Sequence, residues 1–261
     1  MLFRSFGDVY HPQAGAIAQA RQVFLAGNGL PERWAHQSRF TILETGFGLG
    51  NNFLATWSAW RQDPQRCRHL VFASIEKHPL TAADLARVHG LDGGEEQQDP
   101  EHRLLATALH ARWPQLTPGL HVLHFDGADA QVHADDSLAQ SGPGGWRVTL
   151  LLGLGDIADL LPQLMLLADA FYLDGFAPAR NPDMWQPALL GRINRLAAPG
   201  ATVATWSTAR VMRDALAQAG FDVEKAPGFA SKRDMCSGVY APRHQVAPPP
   251  GGDRQIGRAH V

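Results

Sequence analysis

Residues 42–53 read ILETGFGLGNNF. An apolar run, FTILE over 40–44, ends on an acid; Gly46, Gly48 and Gly50 then make a turn, and a helical pattern follows over 51–61. Strand, glycine turn and helix in this order mark a ligand crevice at the carboxyl end of a parallel strand, because glycine lets the backbone turn sharply and approach a ligand closely. The spacing is E-x-G-x-G-x-G, which is neither the G-x-G-x-x-G of dinucleotide binders nor a phosphate loop with its Lys-Ser/Thr. Glu44 at the strand end would repel a pyrophosphate and favour a cationic sulfonium or ammonium. Glycine turns of this kind also serve purely structural ends.

Outward from this stretch, short β-rich runs alternate with helical patterns, which predicts a parallel sheet covered by helices. LVFASIE (70–76) is a second strand ending on an acid, followed by a helix over about 79–89. After a polar loop over 90–102, a helix is expected over 103–113, then strands over 120–125 and 146–153 separated by an exposed insertion. A helix over 156–167, the strand DAFYLD (169–174), a helix opening at NPDMW and the strand ATVATWS (201–207) follow. The helix over 209–219 is closed by Gly220, and FDVEKA and MCSGVYA then form two antiparallel strands, since only a short loop joins them.

Composition narrows the function classes. The 261 residues are 45% hydrophobic and 18% charged, with a net charge of −2, so the whole-molecule field does not attract a polyanion and any such partner must meet a local patch. Cys67 and Cys236 are too few and too far apart for a disulfide framework or a zinc site, as suits a reducing cytoplasm. No apolar run approaches a membrane span and the amino terminus lacks a signal-peptide core, so a cytoplasmic protein without a membrane partner is expected. None of the 12 histidines stands in H-E-x-x-H or a Cys/His cluster, which argues against a metal, and no G-x-S-x-G elbow supports a hydrolase. Trp57, Trp60, Trp113 and Trp206 lie on apolar faces and are expected in the core.

Three acids at successive strand ends suit a nucleoside that carries positive charge. Beside Glu44, Glu76 is placed to accept both hydroxyls of a ribose. Asp156 either accepts from an exocyclic adenine amine or caps its helix. S-adenosylmethionine is such a ligand. A fourth acid, Asp174, opens YLDGFAPARNPDMW (172–185) at the end of the expected central strand. Methyl transfer to an amine needs a free lone pair aligned with the sulfonium methyl, and a carboxylate here can hold the amine and accept its proton. Phe176 can wall the pocket or stack on a base. A plain Asp-Gly turn is the competing reading.

FGDVY (6–10), ILETGFGLGNNF, SIEKHPLTAADLA (74–86), LGDI (154–157), YLDGFAPARNPDMW and KRDMCSGVY (232–240), in this order, resemble the methyltransferase domain of the bifunctional tRNA 5-methylaminomethyl-2-thiouridine biosynthesis proteins. The resemblance covers about residues 6–240. It implies a Rossmann-like class I S-adenosylmethionine-dependent methyltransferase of the α/β class. The sheet would be mostly parallel and seven-stranded, with helices on both faces and its last strand antiparallel. It implies methylation of the aminomethyl group on a wobble uridine of tRNA. Glu44, Gly46, Gly48 and Asn52 would line the methionine part of S-adenosylmethionine, with Gly50 in the turn that positions the donor, Glu76 at the ribose, Asp156 at the adenine and Asp174 at the substrate amine. FAD would serve only a second oxidoreductase domain, absent from this chain.

Two stretches depart from the resemblance: the segment between His121 and Trp146 is longer than expected, and no FAD-binding strand-turn-helix follows Tyr240. The expected organisation is a methyltransferase domain over 1–243 and a linker-like tail over 244–261. The closing QIGRAHV reads either as translated adapter sequence or as a natural tail. From Asp174 to Arg243 nine basic residues face six acids, a net +3, which favours phosphate contact beside the site. Arg180, Lys232 and Arg233 are the candidates for contact with the tRNA anticodon region, each being otherwise an ordinary surface charge. The rivals are a methyltransferase for another amine and a non-catalytic tRNA-binding module.

Overall fold

In the computed structural model, residues 2–3, 8–9, 13–92, 99–126, 145–175, 186–230 and 233–242 are described. At the amino terminus β1 (Leu2–Phe3) pairs with β2 (Asp8–Val9), and α1 (Gln13–Gln19) continues into a π-helical turn, Ala20–Leu25. The main sheet holds β3 (Arg39–Glu44), β4 (His69–Glu76), β5 (Gly119–Asp126), β6 (Arg147–Leu154), β7 (Ala168–Tyr172), β8 (Ala197–Thr205), β9 (Phe221–Pro227) and β10 (Asp234–Tyr240). Its order is β5-β6-β4-β3-β7-β8-β10-β9. The helices are α2 (Asn51–Gln62), α3 (Ala82–Val88), α4 (Pro100–Ala111), α5 (Ile157–Leu160), α6 (Pro187–Leu190) and α7 (Arg210–Gln218).

The strands at the centre are apolar without alternation because both of their faces are covered. Every residue of β7 is buried, as is every residue of β3 beyond Arg39. Neighbouring residues serve opposite layers: Ile42 and Tyr172 pack with Phe24, Phe53, Trp57 and Leu109, whereas Leu43 and Phe171 pack with Ile193, Met212 and Leu216. β9, at one edge, is more exposed, with Asp222, Glu224 and Lys225 turned to solvent.

β3 pairs in parallel with β4 on one side and with β7 on the other, so the strand order reverses there. A crevice opens at such a switch point, outside the carboxyl ends of the two strands. Glu44 ends β3 and Asp174 follows β7, which brings both acids to that crevice.

The sheet has eight strands where the resemblance implied seven, and each of the eight runs read as a strand is present. β5, expected over 120–125, runs antiparallel to β6 at the outer edge, from Gly119 opposite Leu154 to Asp126 opposite Arg147. β10 is antiparallel to both β8 and β9, as the short closing loop requires. The helix expected over 156–167 ends early, with α5 giving way to a 3₁₀ turn, Leu161–Gln163. Pro162 cannot donate to a helical carbonyl, so the α-helix stops before it. Conversely α4 starts inside the expected loop, because Asp99 accepts from Glu101 N–H as the cap and Pro100 suits the first turn.

The amino-terminal segment, to which the sequence reading assigned no element, is fastened to the amino ends of β7 and β8. Arg33 Nη1 donates to Asp169 O at 3.1 Å and Thr202 Oγ1 at 2.6 Å, and Nη2 donates to Gly200 O at 3.0 Å. Thr202 Oγ1 in turn donates to Asn28 Oδ1 at 2.6 Å. Among the described residues no helix is long and apolar enough to cross a membrane.

Candidate active site

Glu44 and Asp174 are joined by one amide. Asn52 Nδ2, in the first turn of α2, donates to Glu44 Oε1 at 2.8 Å and to Asp174 Oδ2 at 2.7 Å. Glu44 is fully buried, and its second oxygen accepts from Ser74 Oγ on β4 at 2.6 Å. Burial pushes the Glu44 carboxyl up to about 8; the hydrogen bonds from Ser74 and Asn52 pull it down, while the negative charges of Asp174 and Glu76 raise it further. Asp174 is held on its other oxygen as well: Oδ1 accepts from Gly175 N–H at 2.8 Å and from Trp206 Nε1 at 3.1 Å. Thr45 Oγ1 donates to the Asp174 carbonyl at 2.7 Å, tying the end of β7 to the start of the glycine turn.

The glycine turn is shaped by backbone that other residues resist. Gly48 and Gly50 have φ of 53° and 75°. A Cβ on Gly50 would stand 2.9 Å from Phe47 Cζ, inside contact distance. Glu76 Oε2 accepts from Gly48 N–H at 2.8 Å and Oε1 from His78 N–H at 2.7 Å, so the carboxylate at the end of β4 is fixed against the turn. Asn51 Oδ1, at the start of α2, is buried with no hydrogen-bond partner.

Behind the turn lies a buried histidine pair. His89 Nε2 is 2.8 Å from Leu49 O, and since a carbonyl only accepts, that nitrogen carries the hydrogen. His89 Nδ1 then accepts from His102 Nε2 across 3.2 Å. Burial, and secondarily His102, pushes His89 down to about 4, against the upward pull of the Leu49 carbonyl.

Asp156 caps α5 through Ala158 N–H at 2.9 Å and pairs with Lys77 Nζ at 2.7 Å. These two contacts, Lys77 first, hold its carboxyl below the usual range. Glu44, Asn52 and Asp174 are thus linked through direct hydrogen bonds, and Gly48 and Glu76 form a second linked pair. Gly46 and Gly50 share the turn, and Asp156 stands at the start of α5, next to Gly155, whose N–H donates to Glu76 O at 2.9 Å. Arg233 is exposed beside β10, its carbonyl accepting from Gly228 N–H at 2.9 Å. Phe176, Arg180 and Lys232 lie outside the described residues, as do residues 127–144 of the insertion and the tail over 244–261.

Ser74 and Trp206 escaped the sequence reading. Trp57 and Trp60 are buried as expected, but Trp113 and Trp206 are only half-buried, and Trp206 directs its N–H at Asp174. The available signal was position: Trp206 directly follows β8, the neighbour of the strand that carries Asp174. Among the described residues no three His, Cys, Asp or Glu side chains gather as a metal site.

This sheet order, with a glycine turn and acids at its switch point, defines an S-adenosylmethionine-dependent methyltransferase fold, and residues 139–241 match the family described as S-adenosyl-L-methionine-dependent methyltransferase. The crystal structure of MnmC2 from Aquifex aeolicus shares the fold with a TM-score of 0.66, at 22% identity, over 91% of this chain and 65% of that one. In sequence the chain is a homologue of the tRNA 5-methylaminomethyl-2-thiouridine biosynthesis bifunctional protein MnmC. It is 58% identical over 247 residues to that of Methylibium petroleiphilum, covering 95% of this chain and 34% of the relative. It is 53% identical over 236 residues to that of Aromatoleum aromaticum, covering 90% and 33%. The chain therefore spans about a third of the length of these curated relatives.

Proposed function

We propose that this chain methylates the amine of 5-aminomethyl-2-thiouridine at the wobble position of tRNA, in the cytoplasm, with S-adenosylmethionine as donor. The observation that carries the reading is Asp174, an acid fixed on both oxygens at the switch-point crevice beside the glycine turn. The name that the relatives bear supplies the substrate class.

The residues present fit the donor. The positive-φ turn leaves backbone open to close approach, and the buried, unpartnered Asn51 Oδ1 is an acceptor awaiting a donor group. Glu44, Gly46, Gly48, Gly50 and Asn52 would hold its methionine part, Glu76 the ribose hydroxyls and Asp156 the adenine amine. When bound, S-adenosylmethionine supplies a methyl group on positively charged sulfur. Asp174 holds the substrate amine by accepting its N–H and takes up the proton that the nitrogen sheds on becoming methylated. Asn52 and Trp206 keep that carboxylate aimed, which turns a chance encounter into an oriented one. Phe176 would wall the amine pocket, and Arg180, Lys232 and Arg233 would meet phosphates of the anticodon region. A domain over 1–243 suffices for this step.

The test is mass spectrometry of nucleosides from undermethylated tRNA after incubation with the protein and S-adenosylmethionine. The methylaminomethyl nucleoside is expected with the unaltered chain. Asp174→Ala should still bind S-adenosylhomocysteine in a calorimeter yet lose most turnover, and surviving turnover would overturn its role.

A further inference from the structure

Glu44 is a carboxyl group placed where a negative charge is costly. It is fully buried, and the donors on its two oxygens, Asn52 Nδ2 and Ser74 Oγ, are both neutral. Among the described residues, the titratable groups that bear on it from the surrounding elements are Asp174 after β7, Glu76 at the end of β4 and the Tyr172 phenol on β7. None of these brings a positive charge. The Tyr172 hydroxyl is occupied with Thr56 Oγ1 at 3.2 Å. The Asn52 amide serves two acids at once, and two like charges so close cannot both ionise cheaply. A buried charge without a counter-charge relieves this by taking a proton, whereas a cation entering the crevice reverses the balance. The 2.6 Å contact to Ser74 suits both forms, since the hydroxyl can donate to the carboxylate or accept from the carboxyl.

We infer that Glu44 carries a proton before the methyl donor binds and gives it up to solvent as the positively charged donor enters, so that donor binding releases one proton. The bond broken is the carboxyl O–H and the proton passes to a buffer base; the methyl group is not involved. This inference rests on the reading that the crevice takes S-adenosylmethionine. Its consequence is a charge-balanced site: the ionised Glu44 meets the donor's cation with a charge that was not carried while the site waited.

The test is calorimetric titration of S-adenosylmethionine at pH 7 in phosphate and in imidazole, whose protonation enthalpies differ. The expected difference in heat corresponds to nearly one proton released per site, and in Glu44→Gln, which has no proton to lose, the two heats should agree. Equal heats for the unaltered protein overturn the inference, as does a difference that persists in Glu44→Gln. If that variant fails to fold or bind, the unaltered protein decides: its Kd should rise about tenfold from pH 7 to pH 6. The donor's α-amino group, with a pKa of roughly 7.7 to 8.0, stays protonated over that interval. A Kd unchanged across the interval overturns the inference. Absence of binding by both S-adenosylmethionine and S-adenosylhomocysteine would instead remove the reading beneath it.

Discussion

Asp174→Asn is ordinarily a mild change, but here it should be severe. Oδ2 accepts from Asn52 Nδ2, and Oδ1 accepts from Gly175 N–H and Trp206 Nε1. All three partners are donors, so the position requires acceptors on both atoms. An asparagine in either orientation turns its own NH₂ group against at least one of them. One buried donor left without an acceptor costs about 1 to 3 kcal/mol, the lower end applying if the Asn52 amide turns over and its Oδ1 accepts a hydrogen bond from a protonated Glu44 Oε1. For a domain of this size that corresponds to a fall in Tm of about 2 to 12 °C. Turnover should drop by roughly 10² to 10⁴, the usual worth of a positioned proton acceptor. Thermal melting by circular dichroism and nucleoside mass spectrometry measure the two effects separately. A variant that melts with the unaltered protein would refute the three-donor account, whatever its turnover.

Gly50→Ala should destabilise by about 1 to 3 kcal/mol, from a left-handed alanine and a Cβ pressed on Phe47, and should weaken S-adenosylhomocysteine binding several-fold. An unchanged urea midpoint would contradict this. His89 has a folded-state pKa of about 4 against an ordinary 6.5, so between these values the unfolded chain binds more protons and stability falls as pH drops from 6.5 towards 4. The loss is at most about 3 kcal/mol. It should show as a urea midpoint that falls more steeply with acid in the unaltered protein than in His89→Gln; parallel curves would exclude His89 as the cause.

The strands that build the site were readable because β3, β4 and β7 are uninterrupted apolar runs closed by turn-formers or acids. Once they lie parallel in adjacent register, their carboxyl ends share one edge, so Glu44, Glu76 and Asp174 converge without further information. The direction of β5 was not readable, since an apolar run looks alike in both orientations. Pro162 did announce the end of α5, but the periodicity over 156–167 masked it. Trp206 and Ser74 meet the acids across strands far apart in sequence, and nothing local in ATVATW or LVFASIE marks those contacts. Asn52 was readable as part of a motif, though not as the amide shared by two acids. That geometry depends on α2 lying over both β3 and β7.

The Arg33 cluster divides the molecule into a fastening end and a working end. Its partners Asp169, Gly200 and Thr202 gather at the amino ends of the strands. Asp169 lies five residues before Asp174 along the same extended chain, about 16 Å away at the usual rise per residue. The two clusters are built from different side chains on shared strands, so the durability of the fold and the proposed choice of amine can be altered through separate sets of residues. A search for a hardier protein belongs around Asn28, Arg33 and Thr202; a search for a changed substrate belongs at the opposite rim.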